Sequence, residues 1–279
     1  MANQLKVSII TVSYNAVKTI DQTISSVVNQ SYPDIEYIII DGGSTDDTVD
    51  IIKKYKDKIA YWISEPDDGI YDAMNKGIKV ATGDYIQIIG ADDCLLSDSV
   101  IDMVAKDIIA KKADIYSYGI MCVDEKNCKE KYVGNEHART NSKNYAMVPH
   151  GGMIVRRELY LNNLFDTGYK ISADYKFFLQ CYKNPNITFA YYDTPIIFFS
   201  LSGISATSQK YSIEEDKKIC EEFGIHYLSN PSTGIRFYVK EILKFIGVLS
   251  FCKSIRDRFG WKRHKCNNKI CRWCRRYNP

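Results

Sequence analysis

Over its first ninety or so residues the chain alternates continuous apolar runs with segments of helical period. Val7 to Val12 (VSIITV) is apolar and β-branched, the composition of a strand covered on both faces. Val17 to Asn29 then carries Val17, Ile20, Ile24, Val27 and Val28, which lie on one side of a helix. Ile35 to Ile40 is a second buried-type strand that stops at Asp41. The Gly42–Asp46 loop follows, with Thr45 or Asp46 placed to cap a helix containing Val49, Ile52 and Lys53. Ile59 to Ile63 reads as a third strand, the helix after Gly69 as Ile70 to Val80, and Tyr85 to Ile89 as a fourth strand. This alternation predicts βαβ units with right-handed crossovers and a mostly parallel, Rossmann-like sheet.

Beyond a helix ending near Ala110 the periodicity loosens. Asp114 to Gly119 predicts a strand, and Met121 to Val133 either a hairpin or a loop. Glu136 to Asn144 is polar and predicts a mobile loop, while Pro149 to Tyr160 predicts a turn, a short strand and a helix start. Ile171 to Tyr182 predicts a helix capped at Ser172, with Tyr175, Phe178, Leu179 and Tyr182 on one face. Ile187–Tyr192 and Pro195–Leu201 predict two short strands, and Ser208 to Phe223 a polar helix.

Polar residues collect where the predicted strands end: Tyr14 and Asn15, Asp41, Asp67 and Asp68, Asp92 and Asp93. In an open α/β sheet that edge is where ligands bind. Asp92 and Asp93 follow the buried strand directly. They suit a divalent cation shared with substrate phosphates, or alternatively the start of the helix that follows.

Composition sets the class without naming it. The 279 residues are 45% hydrophobic and 25% charged, ordinary for a folded protein with a sizeable core. The net charge of +3 is unevenly spread: from Arg236 to Pro279 thirteen Lys and Arg face two acids, leaving 24 bases and 32 acids before Arg236. Nine cysteines without a secretory signal predict reduced thiols in a cytoplasmic protein. No apolar run is long enough to predict a spanning helix.

Three stretches, VSIITVSYNAVKTIDQTISSVVNQSYPDIEYIIIDGGSTDDT, EPDDGIYDAMNKGIKVATGDYIQIIGADD and ISADYKFF, taken in order, resemble the family 2 glycosyltransferases of the GT-A fold. The resemblance covers roughly Lys6 to Leu201. It implies an inverting transferase that uses a nucleotide sugar, usually a UDP-sugar, with Mn or Mg as divalent metal. Residue by residue, it places Tyr14 against the nucleotide base, Asp41 on uracil, and Asp67, Asn75 and Lys76 around the base and ribose; Thr11 either joins the nucleotide-sugar contacts or faces the core from its strand. Many relatives have an arginine where this chain has Met74, so Lys76 is the candidate to supply that charge. Ala91-Asp92-Asp93 matches the DXD-type motif, with Asp93 on the metal and Asp92 facing the sugar or ribose. Asp174 matches the catalytic base, although its place near a helix start also suits a cap. His150, before Gly151 and Gly152, falls near the donor pocket, where phosphate, metal or acceptor are its possible partners.

Two parts follow: a glycosyltransferase domain over 1–205, with a nucleotide-sugar half to about 110 and an acceptor half beyond it, and a helical basic extension over 206–279. Gly234 to Gly260 interleaves apolar residues with Arg236, Lys240, Lys244, Lys253, Arg256 and Arg258, the pattern of an amphipathic helix on an anionic membrane surface. Expected partners are a nucleotide-sugar donor and a glycan or polyprenyl-linked acceptor at the inner membrane face, with no nucleic acid. His264, Cys266, Cys271 and Cys274 have a spacing that admits zinc, though plain or palmitoylated thiols suit it better. Rival readings are a nucleotidyltransferase, which wants a glycine-rich basic phosphate loop that TVSYNAVKT does not offer, and a catalytically inactive nucleotide-sugar binder.

Overall fold

The computed structural model describes residues 5–124, 129–135, 148–201, 203, 209–225 and 262–263. Strands β1 (Val7–Ser13), β2 (Ile35–Asp41), β3 (Tyr61–Ser64) and β4 (Tyr85–Gly90) lie in the order β4-β1-β2-β3, all parallel. Helices α1 (Ile20–Val28), α2 (Thr48–Lys54) and α3 (Ile70–Val80) make the crossovers. Register keeps the carboxyl ends level: Ser13 stands opposite Asp41, Asp41 opposite Ser64, and Val12 opposite Gly90.

Side chains alternate across this sheet and feed two cores. Ile10, Val12, Ile38, Ile40, Ile86 and Ile88 face α3 and the C-terminal helices. Val7, Ile9, Tyr37, Ile39 and Ile89 face α1 and α4 (Val100–Lys111). Burying one such isoleucine is worth about 1.5–3 kcal/mol, so the continuous apolar runs, covered on both sides, are the main support of this parallel half of the sheet. Gly77 lets α3 lie close on the sheet, since a Cβ there would meet Ile10 Cγ2 at 2.5 Å.

The second half extends the sheet with mixed pairing. β4 pairs antiparallel with β8 (Met153–Arg156), and β8 with β6 (Ile115–Asp124). Outward of β6 come β7 (Lys129–Val133) and β10 (Lys262–Arg263), both antiparallel. The Met121–Val133 stretch is thus a hairpin, with Cys122 opposite Lys131. β9 (Phe189–Ser200) runs parallel to β6 and also pairs with the short β5 (Cys94–Leu95).

Where two short strands were expected, β9 is one strand of 12 residues. Its register against β6 shifts between Ser117 and Ile120, which sets Pro195 opposite Gly119. A proline cannot donate to a ladder, and an irregularity at that point carries it through without ending the strand. Helices α5 (Arg157–Asn162), α6 (Ala173–Lys183) and α7 (Gln209–Glu222) complete the described elements. α7 docks on α6, and its Ile219 and Cys220 enter the same core as Phe177, Phe178 and Leu179. The expectations for Glu136–Asn144, the Gly234–Gly260 helix and the His264–Cys274 cluster lie outside the described residues.

Candidate active site

Asp41 ends β2 at the centre of the carboxyl edge and is fully buried. Its Oδ1 accepts the Ser13 hydroxyl at 2.8 Å and the Ser44 hydroxyl at 2.6 Å. Its Oδ2 accepts the Ser64 hydroxyl at 2.7 Å and the Ser44 N–H at 2.9 Å. Four donors match the lone-pair capacity of a carboxylate, which is how a buried charge becomes tolerable. Asn15, in the left-handed region at φ 49°, ties the first loop to the second. Its N–H donates to Ser44 Oγ at 2.8 Å, and its Oδ1 accepts the Thr45 N–H at 2.9 Å. Beside it Tyr14 projects with 62% of its surface exposed, open to a stacking partner.

Asp67 closes the other side of this pocket. A Cβ on Gly42 would sit 2.4 Å from Asp67 Oδ2, so the glycine makes room for that carboxylate. Burial lifts the Asp67 carboxyl above its ordinary range, against the pull of the Gly69 N–H and Lys76, while Asp72 and Asp41 add to the rise. Lys76 is ion-paired with Glu65 at 2.9 Å and Asp72 at 3.3 Å. Its charge is therefore engaged within the pocket rim.

Asp92 and Asp93 follow β4. Asp93 is 4% exposed; its Oδ2 accepts the Gly90 N–H at 3.0 Å and its Oδ1 the Ser200 N–H at 3.1 Å. These bonds join the end of β4 to the end of β9. Asp92 is half-buried between two glycines. A Cβ on Gly90 would lie 2.9 Å from Asp92 Oδ1, and one on Gly203 3.1 Å from Asp92 Oδ2. Bulkier residues would crowd these oxygens. Among the described residues no group of three or more His, Cys, Asp or Glu forms a metal cage. Two adjacent carboxylates are the ligand type that suits a Mg²⁺ or Mn²⁺ ion whose remaining ligands come from a diphosphate.

Asp174 stands in the first turn of α6. Tyr71 from α3 donates to its Oδ1 at 2.8 Å and also lies in hydrogen-bond range of the Ile171 carbonyl. The nearby His150 belongs to a 3-10 turn, His150–Gly152, packed against β4, β6 and β9. Gln87 of β4 holds the turn by donating to the Gly151 carbonyl at 3.0 Å. Gly152 permits the close approach, since a Cβ there would lie 2.3 Å from the Tyr118 carbonyl oxygen. The His150 ring meets Phe165 edge-on at 5.9 Å, and Phe165 meets Tyr71 at 5.5 Å. Burial pushes the His150 pKa down, and the Asp174 carboxylate opposes that shift. His150 Nε2 is buried with no hydrogen-bond partner among the described residues.

Two residues assigned to the nucleotide contacts lie elsewhere. Thr11 is fully buried and shares a 3.0 Å hydrogen bond with the Tyr37 hydroxyl, inside the layer under α1 and α4. Asn75 is 6% exposed and spends both ends of its amide on Phe165: Nδ2 donates to its carbonyl at 2.8 Å, and Oδ1 accepts its N–H at 2.9 Å. Both side chains serve the core, because their polar atoms are already partnered there. Of the expected caps, Asp46 accepts the Thr48 N–H at the start of α2 at 3.0 Å and also the Val17 N–H at 3.2 Å, whereas Ser172 precedes α6 without a side-chain cap bond. Neither Tyr71 nor the serine cage of Asp41 carries a sequence signal: Tyr71 is one more apolar position of α3, and the serines have no periodicity.

Acids gathered at the carboxyl edge of a parallel sheet, with a mixed sheet extending the floor beneath them, make up a GT-A glycosyltransferase fold. The model of the family described as Glycosyl transferase family 2 matches residues 8–201, and the chain belongs to that family. A PGL/p-HBAD biosynthesis glycosyltransferase of Mycobacterium tuberculosis is 25% identical over 263 residues, 92% of this chain and 98% of the relative. The crystal structure of S. aureus TarS 1-349 in complex with UDP superposes with TM-score 0.62 at 20% identity, over 78% of this chain and 65% of that one. The mannosyltransferase PcManGT from Pyrobaculum calidifontis, in complex with GDP-Man and Mn²⁺, gives TM-score 0.53 at 18% identity, over 70% of this chain and 55% of its own. These structural likenesses bear on the fold.

Proposed function

We propose that this glycosyltransferase moves a sugar, with inversion, from a UDP-sugar to a hydroxyl of a glycan or polyprenyl-linked glycan in surface polysaccharide biosynthesis. The observation that carries it is Asp174 held by Tyr71 beside His150, whose Nε2 has no partner among the described residues, on a turn that packs against β4, the strand leading to Asp92 and Asp93. Such a pocket has a carboxylate free to take a proton on one side and anion-binding capacity on the other.

Tyr14 stacks on the base. Asp41 meets the uracil N–H once the Ser44 hydroxyl turns aside, and Asp67 faces the same pocket. Asp93, assisted by Asp92, would hold the cation, which supplies charge neutralisation to the departing diphosphate. The acceptor hydroxyl attacks the anomeric carbon as Asp174 takes its proton, and the bond to the nucleotide diphosphate breaks on the opposite face. Tyr71 keeps the Asp174 carboxylate oriented through this step. Its hydroxyl has one hydrogen and two acceptors within reach, Asp174 Oδ1 and the Ile171 carbonyl, so it can turn away when Asp174 becomes protonated. His150, uncharged near neutrality, offers Nε2 to phosphate, sugar or acceptor.

The test is Asp174→Asn. It should retain UDP binding and lose turnover by roughly a thousandfold or more. Turnover within tenfold of the parent removes Asp174 from the base role. The membrane partner rests on the basic stretch after Gly234 and on a lipid-linked acceptor. No helix among the described residues is long and apolar enough to cross a membrane; the docking proposed for the basic stretch is peripheral. A protein truncated at Gly234 should lose sedimentation with anionic liposomes; equal sedimentation of both forms excludes this docking.

A further inference from the structure

The family match ends at residue 201, yet α7 beyond it reaches back to the segment that carries Asp174. Glu215 of α7 accepts three consecutive backbone N–H groups just ahead of α6. Its Oε1 takes the Lys170 N–H at 2.8 Å, and its Oε2 takes Ile171 at 2.9 Å and Ser172 at 3.0 Å. The first N–H groups of a helix and of the turn leading into it have no partner within the helix, and Ser172 supplies no side-chain cap. A carboxylate from a helix about forty residues later fills that place. From the other side, Tyr71 bonds the Ile171 carbonyl and Asp174 together.

Other bonds pin the same two helices. Lys176 of α6 bridges Asp166 at 3.1 Å and Glu222 of α7 at 3.0 Å. Lys183 donates to the Phe223 carbonyl at 2.8 Å, and Ile219 and Cys220 are fully buried. The apolar contacts explain why α7 docks. They do not explain why an acid faces three N–H groups one turn before the base.

We propose that Glu215 is a positioning residue for catalysis, fixing the Lys170–Ser172 backbone and thereby the direction of Asp174, and that α7 belongs to the catalytic unit. The proposal rests on Asp174 acting as the base. Its mechanism is purely geometric: charge-assisted hydrogen bonds are short and directional, and a catalytic group displaced by an ångström loses much of its rate. Glu215 touches neither donor nor acceptor in this scheme.

The test compares Glu215→Gln, Glu215→Ala and Ile219→Ala in the full chain. Donor turnover is followed by UDP release with Mn²⁺, using whichever of UDP-Glc, UDP-Gal, UDP-GlcNAc and UDP-GalNAc the parent turns over. Glu215→Ala should lower kcat ten- to a hundredfold while the donor KM stays within about twofold, with Glu215→Gln between it and the parent. Ile219→Ala, which removes packing alone, should lower the melting temperature and leave kcat near the parent's. Amide exchange at Lys170–Ser172 should quicken at least tenfold in Glu215→Gln, a readout that does not depend on activity. Unchanged kcat in both Glu215 variants overturns the proposal, as does a loss no larger than that of Ile219→Ala at matched stability. If Asp174→Asn retains turnover while exchange still quickens, the base assignment fails and the clamp remains structural.

Discussion

Replacing Asn75 by alanine separates a core role from a nucleotide-binding one. The side chain is 6% exposed and makes two hydrogen bonds, both to the backbone of Phe165, itself 3% exposed. Truncation leaves a buried N–H and a buried carbonyl without partners. Each such group costs about 1–3 kcal/mol, and partial relaxation or water entry puts the total near 2–4 kcal/mol. A chain of this size loses about 2–4 °C of melting temperature per kcal/mol, so a drop of roughly 4–16 °C is expected. Phe165 packs on Tyr71, Tyr160, Phe177 and His150, so the loosened loop also bears on the catalytic side of the pocket. The assay pairs thermal unfolding with UDP titration calorimetry in the presence of Mn²⁺. The structure predicts a clear loss of stability with UDP affinity within about threefold of the parent. A tenfold or greater loss of UDP affinity at unchanged melting temperature would refute the core assignment and return Asn75 to the ribose.

Glu36 is another buried carboxylate, at the opposite edge of the sheet. Burial alone would raise its pKa, but the Ser8 hydroxyl, the Thr82 N–H and hydroxyl, and Lys6 outweigh it and bring it from 4.5 down to about 2. The depressed value gives stability of about 3 kcal/mol, complete above pH 4.5 and lost as pH falls toward 2. Urea midpoints of the parent and Glu36→Gln should therefore converge over that window; parallel curves would refute it. The lowered His150 pKa has its own signature, because an unfolded chain takes up that proton first. The stability of the buried neutral ring is complete above about pH 6.5 and declines below it, and His150→Phe should flatten the melting temperature between pH 7 and 5. A slope unchanged by the substitution would show that other groups set it. Chelation with EDTA should abolish turnover and added Mn²⁺ or Mg²⁺ restore it; full activity after exhaustive chelation would remove the cation from Asp92 and Asp93.

What the sequence made legible follows from burial. Parallel strands covered on both faces must be apolar throughout, so β1, β2 and β4 stand out, and α3 spans Ile70–Val80 as its period implied. The acids at the strand ends stand out for the same reason, as charge beside continuous hydrophobicity. Partnerships across large separations were not legible. Asn75 reads like a polar pocket residue until Phe165, ninety residues on, takes both ends of its amide. Glu215 looks like any acid of a polar helix, because only the fold brings it under Ser172. β9 reads as two strands broken at Asp193-Thr194, just before Pro195, because the register shift that accommodates Pro195 is a property of its neighbour β6.

The most direct measurement is a crystal structure of the protein soaked with UDP and Mn²⁺. The uracil should lie between Tyr14 and Asp41, the ion and diphosphate at Asp92 and Asp93, and Asp174 should face the open side where a sugar would extend. A groove of about 480 Å³ lined by Thr82, Asp84, Lys112, Arg156 and Arg157 opens at the other edge of the sheet. UDP seated there, with the carboxyl edge empty, would contradict the assignment of the site.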